Sequence, residues 1–117
     1  MADDEFQLYD LKVEVIHGDK TRPLVCQHRL GDSFTLRGSR IEFPPDKGAG
    51  FGMWAMFAVL PFLPAKQRPT VKGDWMTTDA SIGCTDPNCG AHFRITRLEL
   101  KTYRHADFTK VPLGSGD

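Results

Sequence analysis

Several of the features that most readily announce a function are scarce in this 117-residue chain. No charge of one sign prevails: 15 Lys and Arg stand against 15 Asp and Glu. No global field therefore draws the chain to nucleic acid or an anionic membrane, and recognition has to be local. Long apolar runs are missing too. The most apolar stretch, Phe51 to Leu63, is about 13 residues against the roughly 20 that cross a bilayer, so it reads as a buried element and no membrane partner is expected. The opening MADDEFQLYD is acidic and has no apolar run, which predicts a cytoplasmic protein without a secretory leader. Only three cysteines occur. Three cysteines cannot all pair within one chain, and a reducing compartment disfavours structural disulfides, which leaves thiolate chemistry or inert burial. Internal repeats and informatively spaced carboxylate pairs are absent as well.

What is present fits one domain, long enough for a single core. Tyr9 to His17 alternates, with Tyr9, Leu11, Val13 and Val15 on one face and Asp10, Lys12 and Glu14 on the other, which predicts a half-buried strand. Leu24 to His28 is read as extended. Ser33 to Arg37 and Ser39 to Phe43 form a hairpin turned at Gly38. Pro44, Pro45, Gly48, Gly50 and Gly52 then make a loop. Met53 to Leu60 is apolar on every side and predicts a short helix buried all round, bent or ended by Pro61 and Pro64. Strands return at Ser81 to Cys84 and Ala91 to Leu100. The predicted class is α+β, a bent antiparallel sheet or partial barrel with one short buried helix. Residues 1–8 are read as a disordered N-terminus, 9–100 as the domain and 101–117 as a tail.

The chemistry concentrates in five residues. If Leu24 to His28 is extended, Cys26 and His28, two apart, leave the same face about 7 Å apart. Cys84 and Cys89 enclose the turn Thr-Asp-Pro-Asn, and His92 follows three residues later. Thiolate and imidazole suit zinc or iron, and a structural site takes four such groups. Two other readings stand beside this one. All three thiols are inert small hydrophobes, or Cys26 is a reactive thiol activated by His28. Trp54, Trp75 and Arg94 are candidates for a ligand pocket. Arg94, Arg97 and Lys101 are candidates for an anion-binding row or a solvated face. His17 and His105 read as structural or solvated.

Four stretches, YDLKVEVI, CQHRLGD, GFGMWAMFAVLPF and CTDP followed by HFRITRLE, resemble a family of small, cysteine-containing bacterial cytoplasmic proteins without a settled activity. The resemblance spans Tyr9 to Glu99 and implies Cys26, His28 and Cys84 as shared polar residues. The family's cysteine before the helical Trp-Ala is replaced here by Gly52 or Met53. If the family's cysteines form a metal site, Cys89 or His92 has to fill that gap. The reading reached from the sequence is a small zinc- or iron-binding domain, self-associating. The alternatives are an accessory subunit or interaction module of a larger enzyme, and a small metal- or thiol-dependent enzyme acting on an aromatic or carbonyl compound.

Overall fold

The structure, a computed structural model, describes residues 1–114. Five strands form one open antiparallel sheet: β1 (Glu5–His17), β2 (Ser33–Arg37), β3 (Arg40–Glu42), β4 (Ser81–Gly83) and β5 (Ala91–Arg104), in the order β3-β2-β1-β5-β4. The two long strands β1 and β5 pair along their length, from Glu5 opposite Arg104 to His17 opposite Ala91. The predicted α+β class, with an open rather than closed sheet, is what the chain forms.

The alternation in β1 breaks once. Leu11, Val13 and Val15 are buried as their period requires, but so are Leu8 and Asp10. A β-bulge between Tyr9 and Leu11 shifts the register, so even positions face inward before it and odd positions after it. Asp10, assigned to the polar face by the alternation, is instead buried, and one of its oxygens pairs with Arg37 at 2.8 Å and Lys101 at 2.8 Å. The first and last predicted segments also differ. Glu5 to Leu8, inside the stretch read as disordered, is strand, and Lys101 to Arg104, inside the stretch read as tail, is its partner. Phe6, Tyr103 and Phe108 pack ring on ring there, and Asp4 pairs with Arg104 at 2.8 Å. These contacts offset the ordering cost that polar termini alone do not. The last three residues of the tail lie outside the described residues. The β2–β3 turn has Gly38 at φ 60° as its first central residue, the position where a type II′ hairpin needs glycine.

The helical stretch runs from α1 (Met53–Val59) through a 3₁₀ turn at Leu60–Phe62 to α2 (Leu63–Gln67). Pro61 and Pro64 lack the N–H groups that would continue the α-helical ladder, which accounts for the 3₁₀ interlude. The helix is not buried all round. Of α1 only Ala55 and Val59 are buried, with Met56 and Ala58 partly covered by the core, while Met53, Trp54 and Phe57 are 62–70% exposed. A single open sheet covers one side of a helix and leaves the other to solvent or a partner. Between helix and sheet lies the core of Leu11, Val13, Val15, Phe34, Leu36, Ala55, Val59, Leu63, Ala91, Phe93 and Ile95, continuous with Cys89.

Candidate metal centre

The sheet order brings the two cysteine-bearing loops to one place. β1 ends at His17 opposite Ala91, where β5 begins, and β4 ends at Gly83 opposite His92. The loop after β1 (residues 18–32) and the β4–β5 turn (residues 84–90) therefore leave the same end of the sheet. They are laced together by backbone: Gly90 N–H donates to Pro23 O at 2.9 Å, Asp19 N–H donates to Gly90 O at 3.1 Å, and the Arg22 guanidinium donates to Pro87 O. A side chain at position 90 would meet the carbonyls of Asp19 and Arg22 at 2.4 Å, so only glycine permits this approach. Asp86 shapes the turn itself. Its carboxylate accepts from Asn88 N–H at 2.9 Å and its carbonyl from Cys89 N–H at 3.0 Å.

Cys26, His28, Cys84 and Cys89 converge there, with one ligand atom of each within 4.8 Å of the others. Cys26 and Cys84 sulfurs are 3.8 Å apart, and His28 Nε2 is 3.3 Å from Cys84 Sγ. A disulfide needs about 2.05 Å between sulfurs, and all three thiols are free. Tetrahedral zinc with bonds of about 2.3 Å to sulfur and about 2.05 Å to nitrogen separates two sulfurs by about 3.8 Å and sulfur from nitrogen by about 3.5 Å. The group could hold a metal ion with little rearrangement.

The three thiols differ in their surroundings. Asp86 N–H donates to Cys84 Sγ at 3.5 Å. Burial raises the Cys89 pKa, but hydrogen bonds from the backbone N–H groups of Ala91, Val25 and Cys26 outweigh it and bring the thiol to about 7. In both cases one donor is the residue two positions beyond the cysteine, a local turn that points an N–H at sulfur. Cys26 moves the other way, pushed up to about 12 by burial and by its thiol neighbours Cys89 and Cys84. Three sulfurs this close cannot all ionise without a cation between them, a charge that a bound divalent ion would supply. His28 is oriented by edge-on packing against Phe93, ring centroids 5.1 Å apart, and burial lowers its pKa, which favours the neutral, ligating imidazole.

The remaining candidates fall elsewhere. His92 lies in β5 between Ala91 and Phe93, both of which face the core, so its ring projects from the opposite face. There its Nδ1 meets Ser81 Oγ at 3.1 Å, and the ring fills the space over Gly18. His92 is thus outside the group, and Cys89 stands as its fourth member. Trp54 lines a cleft of about 470 Å³ beside the group, together with Met53, Gln27 and Asp86. Trp75, on a 3₁₀ turn (Trp75–Thr77), and Arg94, paired with Glu14 at 2.9 Å, do not line it, so the three residues form no common pocket. Arg94 also parts from Arg97 and Lys101, which face the helix side of β5. His17 and His105 accept structural roles, meeting the carbonyls of Arg22 and Val111 at 2.7 Å. The tight approach of Gly52 to His28 Nδ1, 3.1 Å from where a side chain would begin, went unread in the sequence. No protein-family model, curated protein or solved structure matches the chain. No helix among the described residues is long and apolar enough to cross a membrane.

Proposed function

We propose that this is a zinc-binding protein in which Cys26, His28, Cys84 and Cys89 form a closed tetrahedral shell. The observation that carries the reading is the convergence of three sulfurs and one imidazole nitrogen within 4.8 Å from two loops far apart in sequence. A three-cysteine, one-histidine set is a structural zinc arrangement, and thiolate softness favours zinc over a hard cation. Three of the four residues are those that the family resemblance singles out. In this role the ion fastens the loop after β1 to the β4–β5 turn and fixes the wall of the cleft beside Trp54. Protein prepared without chelator is expected to carry about one zinc per chain. Less than about a tenth of an equivalent of any transition metal, with the thiols reduced, ends this reading.

The exposed ridge of α1 supports a second element, self-association. Met53, Trp54 and Phe57 are together mostly uncovered, with the Trp54 and Phe57 rings 6.4 Å apart. A contiguous apolar ridge of this kind is what a protein contact covers. Sedimentation of the zinc-loaded chain is expected to show a dimer or larger species that Trp54→Ala with Phe57→Ala dissociates. A monomer at all concentrations removes self-association while leaving the metal site untouched.

A further inference from the structure

A second polar site lies on the other side of the helical stretch. Lys66, in α2, is only 3% exposed. Its ammonium donates to the carbonyl of Met76, and no carboxylate among the described residues comes within 4.0 Å of it. Arg97, half-buried, sits beside it on β5. Its guanidinium donates to Lys66 O at 2.8 Å, Arg68 O at 2.9 Å and Thr70 Oγ at 3.3 Å, and it lies 4.8 Å from the Tyr9 ring centroid, again without a carboxylate. Two adjacent cations at the edge of a core, neither matched by an anion, are costly, because buried charge is ordinarily paired. The acids nearest in sequence to the Met76 turn are engaged elsewhere: Asp74 accepts from Met76 N–H at 3.0 Å and Asp79 from the Thr78 hydroxyl at 3.3 Å. The mutual repulsion shows in Lys66, whose pKa is lowered first by burial and then by Arg97, against the opposing pull of Asp79 and Asp74.

Both cations border a pocket of about 290 Å³ whose other walls include Thr77, Ala80, Ile95 and Thr96. It opens where β4 begins at Ser81, so that β5 beyond Ile95 has no strand beside it on that edge. Arg94 also borders the pocket, but its charge is already taken by Glu14. We propose that this pocket binds an oxyanion, the phosphate or carboxylate group of a small metabolite, between Lys66 and Arg97. An ammonium with unused donors and a guanidinium with unused N–H groups match an oxyanion's several acceptor lone pairs. The site is independent of the metal centre and stands or falls without it.

The test is amide chemical-shift mapping of the 117-residue chain as purified, with no free metal in solution, titrated separately with inorganic phosphate and with acetate at constant ionic strength. Saturable shifts of Thr77, Thr96 and Arg97 are expected with at least one of the two, and which one saturates identifies the anionic group. Lys66→Met, checked for a folded spectrum, is expected to weaken that binding about tenfold or more. If neither anion gives saturable shifts at these residues in the unmodified chain, or if folded Lys66→Met binds as the unmodified chain does, the proposal is overturned. Should Lys66→Met not fold, the mapping on the unmodified chain decides.

Discussion

A zinc ion that binds only the folded chain makes stability depend on free zinc, and the size of the effect can be worked out. Cys26 and Cys84 are 58 positions apart, so an unfolded chain has to close a long loop to reassemble the shell, and its affinity is correspondingly lost. Folding stability then rises as RT ln(1 + [Zn]/Kd), about 1.4 kcal/mol for each tenfold increase in free zinc above Kd. The 117 residues unfold with an entropy of about 2.1 cal/mol/K each, about 0.25 kcal/mol/K for the whole chain. Each decade of free zinc should therefore raise Tm by about 6 °C, and a level about 1,000-fold above Kd by about 17 °C over the chelated protein. Scanning calorimetry in metal-buffered solutions, with thiols reduced, reads this directly. The expected curve is flat at low free zinc and then linear in its logarithm, with the linear part abolished by Cys26→Ser. A Tm that ignores free zinc, or a slope that survives loss of Cys26, refutes the reasoning.

Three further outcomes follow from the geometry. His28→Ala should lower zinc content or affinity sharply, whereas His92→Ala should leave both unchanged, since His92 projects from the other face of the sheet toward Ser81; equilibrium titration against a chromophoric chelator separates them. Phe93→Ala, which removes a fully buried ring that also packs on His28, should cost about 3–5 kcal/mol in denaturant unfolding of the metal-loaded chain. Hydrogen bonding to Arg104 holds the Asp4 carboxyl below its ordinary value of 3.8. Because that folded-state pKa is depressed, the stability it adds is present above pH 3.8 and lost as pH falls through the folded value. The unmodified chain should thus exceed Asp4→Asn in chemical stability at neutral pH, and the difference should vanish in acid.

Much of this architecture was legible in residue pattern, and the exceptions have identifiable causes. Alternation located β1, β2 and β5 because one face of each strand is buried. It failed at Asp10, where Leu8 and Leu11 are three apart yet both buried, and only a bulge reconciles them. The apolar stretch at Met53 named a helix correctly but not its surroundings, since hydrophobicity on every side does not say how many sides the fold covers. The termini were read from their polar composition, which hides the pairing of Phe6 with Tyr103 from opposite ends of the chain. At the candidate metal centre, residue type and turn chemistry pointed to the thiols and imidazole that converge, and the choice between Cys89 and His92 rested on strand register. Once β5 begins at Ala91, period two sends His92 away from Phe93 and therefore away from the sulfurs. Lys66 left no comparable signal, because its burial depends on how α2 meets β5 and the turn at Trp75.

X-ray absorption at the zinc edge of the metal-loaded chain tests the central assignment most directly. Three sulfurs at about 2.3 Å and one nitrogen at about 2.0–2.1 Å are expected, reduced to two sulfurs in Cys89→Ser. A first shell of oxygen and nitrogen alone, or an unchanged sulfur count after Cys89→Ser, would contradict it.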